Sequence, residues 1–324
     1  MRRKKFQMKP GEVIELSVTI PGGPPQTLLE FLADRFTYLD REEWTLRVKR
    51  GQVLVNRRRA SIHHTLKTGE TVSYTTSAWV EPEVNKAYRV FYEDESFLAI
   101  DKPAPLPVHA TGAYFQNTLV ALLRKDRPET KDWRLVHRLD SETSGVILMA
   151  KTQEALRSLQ LQWERRTVEK TYLAIVFGEF EAAERVVDAP IGSPAYCRVR
   201  IKLAVDPMYG KSAVTRFERL GVRGGFSLLQ VQPRTGRTHQ IRVHLEALKH
   251  PIVGDKLYSG EEETFLRFMA EGWTPGLEAR LRLPRLALHA HRLTFLHPKD
   301  RRPMRLEAPL PPDLQAFWDS LKDA

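Results

Sequence analysis

The chain has a single cysteine, Cys197, in 324 residues. That excludes an internal disulfide framework and a thiolate metal cluster, and it fits a reducing compartment, so a cytoplasmic location is expected. No apolar run approaches the roughly 18 residues that a membrane-spanning helix needs, so no membrane partner is expected. The start, Met1-Arg-Arg-Lys-Lys5, is basic but is not followed by a long apolar core; it reads as a basic tail rather than a secretory signal. A Gly-x-Gly-x-x-Gly turn and a Walker loop are both missing, and with them the commonest nucleotide cradles. There is no Gly-x-Ser-x-Gly elbow to mark a serine nucleophile. Nor is there an internal repeat or a low-complexity tract. Two pairs of histidines, His239 with His244 and His289 with His291, lack the i,i+4 helical spacing with carboxylate support that zinc sites use, so no metal is expected.

What the chain does have is positive charge. Lys plus Arg number 51 against 40 Asp plus Glu, a net charge of +11, which suits a polyanionic partner. The length allows two domains. Pattern and turn residues divide the chain at residues 13–77, a linker at 78–87 containing Pro82, and 88–324.

In the first segment, residues 13–20 alternate as a strand. Thr27 and Glu30 have capping-box spacing ahead of an apolar face formed by Leu28, Leu29, Phe31, Leu32 and Phe36. Residues 41–50 read as a second helix stopped at Gly51. Val53–Asn56 and Thr71–Tyr74 read as strands. Arg47, Lys49, Arg50, Arg57, Arg58 and Arg59 crowd the end of the second helix and the following turn, and such unmixed charge favours phosphate contact. Leu28-Leu-Glu-Phe-Leu-Ala33, Arg47-Val-Lys-Arg-Gly51, Val53-Leu-Val-Asn56 and Lys67-Thr-Gly-Glu-Thr-Val72 together resemble the alpha-L RNA-binding module of the S-four type. The resemblance covers residues 26–77. It departs from the family at Thr27-Leu-Leu, where an arginine usually opens the first helix.

From residue 88 onward, strands outnumber helices and several are joined as hairpins. Strands are read at 88–93, 97–100, 146–149, 168–177, 214–217, 226–231 and 286–295. Asn117, Thr152 and Thr238 are read as helix caps, and 259–282 as an inserted helical or loop region. This order argues for an α+β fold built on a mixed, mainly antiparallel sheet, and against a doubly wound nucleotide fold.

Chemistry concentrates in Leu135-Val-His-Arg-Leu-Asp-Ser-Glu-Thr-Ser-Gly-Val-Ile-Leu-Met149. There Asp140 precedes a hydrophobic strand, partly exposed on a backbone that the sheet will hold. The turn Arg234-Thr-Gly-Arg-Thr-His-Gln-Ile-Arg242 sets Arg237 at a helix N-terminus, a ready anion site. The segments Val136–Gly145, Glu169-Lys-Thr-Tyr-Leu-Ala174, Arg234–His244, His250-Pro-Ile-Val-Gly-Asp255, and Leu288–Ala290 through Phe295–Pro298 occur in that order. In this order they resemble the RluA family of RNA pseudouridine synthases, over residues 88 to about 310.

The resemblance implies a catalytic domain of pseudouridine synthase type. It isomerises uridine to pseudouridine within RNA, needs no cofactor, and acts as a monomer with RNA as its partner. It implies Asp140 as the catalytic carboxylate, Arg237 as the partner that keeps it charged, and Tyr172 as the ring against the target base. Arg138 would fill the space left by the flipped base, and His137 would shape that loop on the RNA side. Leu286 and Leu288 would floor the pocket, and Arg242 and Lys256 would contact phosphates. The alpha-L module favours large-subunit rRNA as substrate. Residues 108–118 look more like members that act on the tRNA anticodon stem-loop, which is the alternative. A non-catalytic RNA-binding or ribosome-assembly factor is the alternative outside enzymology.

Overall fold

The computed structural model describes residues 14–36, 39–76, 81–112, 114–194 and 196–322. The basic start Met1–Lys5 and the first residues of the expected linker lie outside them. The chain divides into two compact units, residues 1–83 with 110–116, and residues 84–109 with 117–324.

The first unit contains β1 (Ile14–Thr19), α1 (Leu28–Arg35), α2 (Arg41–Lys49), β2 (Val53–Val55), β3 (Arg58–Arg59) and β4 (Thr71–Thr76), with an antiparallel sheet in the order β1-β4-β2-β3. The capping box forms as its spacing predicts. Thr27 Oγ1 accepts from Glu30 N at 3.3 Å, and the Glu30 carboxylate accepts from Thr27 N at 2.8 Å. The helices bury Leu28, Phe31, Leu32, Trp44 and Val48 against Val53, Val55, Val72 and Tyr74. Gly51 ends α2 at φ +72. Lys49, Arg50, Arg57, Arg58 and Arg59 are exposed, whereas Arg47 is half-buried and paired with Glu43 at 3.0 Å.

The second unit is built on one large sheet. Its elements are β5 (Arg89–Glu93), β6 (Phe97–Lys102), α3 (Leu119–Asp126), β7 (Arg134–Leu135), β8 (Ser144–Ala150), α4 (Gln153–Glu164), β9 (Glu169–Phe177), β10 (Glu184–Asp188), β11 (Ile191–Gly192), β12 (Ala204–Val205), β13 (Val214–Arg223), β14 (Phe226–Pro233), α5 (Gln240–Ala247), α6 (Glu262–Glu271), α7 (Pro275–Leu281), β15 (Leu288–Leu296), β16 (Pro303–Glu307) and α8 (Pro312–Ser320). The strand order is β10-β13-β14-β9-β15-β8-β6-β5, with β16 on β15 and β7 on β8. Among the described residues only the β8–β15 pairing within it is parallel, so the expected α+β class with a mixed, mainly antiparallel sheet is what forms.

β8 is buried along its whole length. Helix α4 covers one side, with Ala155, Leu156 and Leu159 against Val146 and Leu148; α3 lies over the other, with Leu119 and Leu123 against Ile147 and Met149. Burial on both faces explains why this strand reads as an unbroken apolar run rather than an alternation. Gly145 sits at φ +112, and a Cβ there would lie 2.2 Å from the Ala290 carbonyl oxygen. No other residue allows β8 and β15 to meet so closely.

Two expected caps move by one residue. Thr118, not Asn117, caps α3, its Oγ1 accepting from Ala121 N at 3.2 Å. The N-cap of α5 is His239 in the left-handed region (φ 56), with no side-chain cap bond, rather than Thr238. The preceding turn is tied by other means. Gln240 Oε1 accepts from Arg237 N and from Thr235 Oγ1, and Gln240 Nε2 donates to Val214 O and Thr215 Oγ1. The 259–282 segment consists of α6 and α7. Among the described residues no helix is long and apolar enough to cross a membrane.

Candidate active site

The sheet register lines up the centre of the site. Lys102 of β6 pairs with Gly145 of β8, Gly145 with Ala290 of β15, and Ala290 with Tyr172 of β9. Asp140 projects from the turn that feeds β8 at this row. That turn is fastened from below: Ser141 O accepts from Leu106 N at 2.8 Å and from Lys102 Nζ at 3.1 Å, and Thr143 N donates to Asp140 O at 3.2 Å. Lys102 Nζ also donates to Pro103 O and Leu106 O. Burial pushes the Lys102 ammonium down to about 7. Against that, three carbonyl acceptors require all three ammonium hydrogens, which favours the charged form.

Asp140 is paired with Arg242, not with Arg237. Arg242 Nη1 donates to Asp140 Oδ2 at 3.3 Å. The same guanidinium grips Asp255 through Nε at 2.7 Å and Nη2 at 2.8 Å. Asp255 is completely buried and also accepts from the backbone N–H groups of Leu257 and Tyr258. Burial opposes the charge on Arg242, but Asp255 and then Asp140 outweigh it and raise its pKa. Burial likewise opposes the Asp255 carboxylate, and Arg242 reverses the effect. Asp255 thus fixes the fork of Arg242 so that one free edge meets Asp140. This corrects two expectations: Arg242 is a buried member of the acid's ion-pair network instead of a phosphate contact, and Arg237 is not the ion-pair partner. Arg237 lines the same pocket, and its Nε donates to Ser212 O at 3.0 Å. The left-handed His239 turns the chain between the two arginines, and Arg242, in the first turn of α5, faces the acid.

His239 Nε2 stands 4.0 Å from Asp140, and its Nδ1 meets the Tyr258 hydroxyl at 3.0 Å. Burial, then the charge of Arg242, holds this ring down at about 4, so it is a neutral neighbour at neutral pH.

The pocket beside Asp140 has a volume of about 330 Å³ and is walled by Tyr172, Leu288, Leu293, Thr235, Lys170 and Arg138, among others. Burial and then the Asp140 charge raise the Tyr172 phenol, leaving it neutral. Arg138 is exposed on the pocket wall. Leu288 contributes to the wall, but Leu286 does not. Leu286 precedes β15 and is buried in the core with Ile175 and Ile252, whereas Leu288, the first residue of the strand, also reaches the pocket. Lys256 does not face phosphates either: its ammonium is buried between the Glu142 carboxylate and Pro284 O. His137 lines the pocket, but its ring stacks on Trp163 and its Nε2 accepts from Leu148 N at 3.2 Å. It shapes the loop from inside and offers no charge to RNA; burial and Lys170 hold it down at about 3.

Asp255, Lys102 and Lys170 were not singled out from the sequence. A lone acid ending the His250–Asp255 motif was the available signal for Asp255; a lysine closing an apolar strand was the signal for Lys102. The other histidines are occupied structurally. His244 meets Thr215 and Ala189 O; His289 meets Ser144 and Ala308 O. Among the described residues no cluster of three or more candidate ligands could hold a metal ion.

Residues 96–247 match the RNA pseudouridylate synthase family. The chain is 39% identical over 301 residues to the ribosomal large subunit pseudouridine synthase D of Xanthomonas campestris, covering 90% of this chain and 88% of that one. It is 36% identical over 287 residues to the ribosomal large subunit pseudouridine synthase C of Vibrio vulnificus, covering 85% and 86%. The solved structure of human RNA pseudouridylate synthase domain containing 1 superposes with a TM-score of 0.57 at 28% identity, over 73% of this chain and 90% of that one.

Proposed function

The chain belongs to the RluA family of RNA pseudouridine synthases, and on that footing we propose that it isomerises uridines of large-subunit ribosomal RNA, with Asp140 as the catalytic carboxylate. The single observation that carries the assignment of Asp140 is its pairing with a buried guanidinium at the wall of a base-sized pocket. In the reaction the bond from the anomeric carbon to N1 breaks, the uracil turns, and C5 takes that bond. The C5 proton is lost and N1 gains one, so the product is an isomer. Attack of the carboxylate on the anomeric carbon and removal of a proton from C2′ both require Asp140 ionised. Arg242 supports that state and aims the group, while Tyr172 offers its ring to the base. A uridine within structured RNA is first flipped out, at a cost of a few kcal/mol, and in this reading Arg138, exposed on the pocket wall, fills the vacancy.

The rRNA substrate is supported by the substrate named for the relatives. The exposed Lys49, Arg50 and Arg57–Arg59 of the first unit support an alpha-L role in holding that RNA. The enzyme acts as a cytoplasmic monomer in this reading. Mapping pseudouridine in cells without the gene, and in cells carrying only Asp140→Asn, tests it. The same large-subunit sites should disappear from both maps. An unchanged map with Asp140→Asn removes the catalytic assignment, and loss confined to tRNA replaces the substrate.

A further inference from the structure

Between β10 and β13 the chain leaves the large sheet and returns. Four large apolar side chains stand exposed on this excursion: Tyr196 at 96%, Ile201 at 57%, Met208 at 77% and Tyr209 at 83%. Arg198, Arg200 and Lys211 are exposed among them. Arg198 is engaged by the Glu262 and Glu263 carboxylates of α6.

The backbone under these side chains is tightly built. The Asp206 carboxylate accepts from Met208 N at 3.1 Å and Tyr209 N at 3.0 Å, and Asp206 O accepts from Gly210 N at 3.0 Å. Ile191 and Lys211 exchange two backbone hydrogen bonds. A Cβ on Gly210 would lie 2.3 Å from Asp206 O, and one on Gly192 would lie 2.5 Å from the Asp206 carboxylate. On the inner side Val199, Leu203 and Val205 pack with Val243, Leu257 and Phe265. The excursion therefore has a packed inner face and an apolar, basic outer face.

Two of its backbone groups are fastened to the wall of the pocket. Leu203 N donates to the Tyr258 hydroxyl at 3.0 Å, and that hydroxyl meets His239, a pocket residue. Ser212 O accepts from Arg237, another pocket residue. These two hydrogen bonds tie the excursion to the elements that wall the pocket.

We propose that residues 196–211 form an RNA-binding arm, in which Tyr196, Met208 and Tyr209 stack on unpaired bases flanking the target uridine while Arg200 and Lys211 meet their phosphates. The proposal rests on the reading of the chain as an enzyme acting on RNA, and names the surface that holds the nucleotides outside the pocket. Aromatic side chains interleaved with cations suit single-stranded RNA, where every base offers a π-face and every nucleotide a charge. A pre-formed turn that holds Met208 and Tyr209 outward limits the ordering cost of binding.

The test uses RNA labelled with tritium at uracil C5 and purified from cells lacking the gene, which contains the substrate whichever RNA it is. Pseudouridine formation releases that tritium. With the full-length chain, Tyr196→Ala and Tyr209→Ala should each slow release by about tenfold at low RNA concentration, from loss of one stacked base. At saturating RNA the rate should stay within about twofold, because binding and not chemistry is impaired. Val186→Ser, which removes an exposed apolar side chain of β10, serves as the control and should match the unsubstituted chain. Equal rates for all variants at low RNA overturn the arm. A loss seen only on ribosomal particles and not on naked RNA also overturns it, in favour of a protein partner. If the unsubstituted chain releases tritium from tRNA instead of rRNA, the substrate reading falls while the arm is judged on the same comparison.

Discussion

Asp140 and Arg242 lie 102 positions apart in the chain and 3.3 Å apart in the structure. Arg242 reaches the acid with one edge of its guanidinium because Asp255 holds the other two donors. A lysine has one point charge and cannot serve both carboxylates with that geometry. Arg242→Lys is expected to cut turnover at saturating RNA by about 100-fold, a loss of the size that follows when a reacting group is misplaced by an ångström. Arg237→Lys, whose side chain serves Ser212 O, should cost less than about tenfold on the same scale. Tritium release from C5-labelled RNA measures both, and the opposite ranking would return the ion pair to Arg237.

The same network makes a stability prediction. Arg242→Ala leaves Asp255 buried without its partner, which should cost about 3–5 kcal/mol in urea unfolding. Removing both charges in Arg242→Met with Asp255→Leu should recover part of that loss while leaving the enzyme inactive. A single substitution as stable as the unsubstituted chain would mean that Asp255 is not held as a charge.

Tyr172 contributes a ring and a hydroxyl that stays neutral. Tyr172→Ala should lower kcat/KM by about tenfold or more through loss of the stacking face, on a scale of about 1–3 kcal/mol per base. Tyr172→Phe should keep the binding share. Equal binding losses for both would show that the hydroxyl, and not the ring, holds the base.

Three histidines are kept neutral by burial. His137 is held down at about 3, and His239 and His289 at about 4, against about 6.5 when unfolded. Below about pH 6.5 the unfolded chain takes up protons that the folded chain refuses. Their stabilising share is therefore complete above that pH and is lost as pH falls toward about 4. Each histidine adds a slope of up to about 1.4 kcal/mol per pH unit. His289→Gln should flatten the urea-unfolding profile between pH 6 and 4 by about one proton. An unchanged slope would place a protonated His289 in the folded state.

Arg57→Ala, Arg58→Ala and Arg59→Ala combined should weaken RNA binding and reduce its salt slope by up to about 2, at about 0.7 for each single-strand phosphate contact. Filter binding across salt concentrations measures this. An unaltered slope makes the cluster a solvated face.

The local rules that operate within a few residues were legible in the sequence. Thr27 and Glu30 announced their capping box, Gly51 the end of its helix, and the apolar run after Asp140 a strand, whose burial on both faces only the structure showed. The strand-rich order gave the mixed sheet. Asp140 and Tyr172 could be named because their motifs recur together, and the register then put Tyr172 in the same transverse row as Gly145, beside the turn that carries Asp140. Leu286 and Leu288 could not be separated, since residues two apart share a face of an extended chain, and only the start of β15 at Leu288 and the core that takes up Leu286 tell them apart. Lys256 and Arg242 looked like phosphate contacts because a basic residue in a motif carries no mark of burial.

The turn ahead of α5 shows where the limit lies. The sequence determined that a basic turn carrying Arg237 would run into a helix carrying Arg242. Only the tertiary structure decided which arginine meets Asp140, through the left-handed conformation of His239, the hydrogen bonds of Gln240, and the buried Asp255 that fixes the Arg242 fork. The physical reason is range. Capping, turn chemistry and hydrophobic period act over a few residues, whereas the aim of a guanidinium depends on partners brought together from β13, the Asp140 turn and the segment after α5.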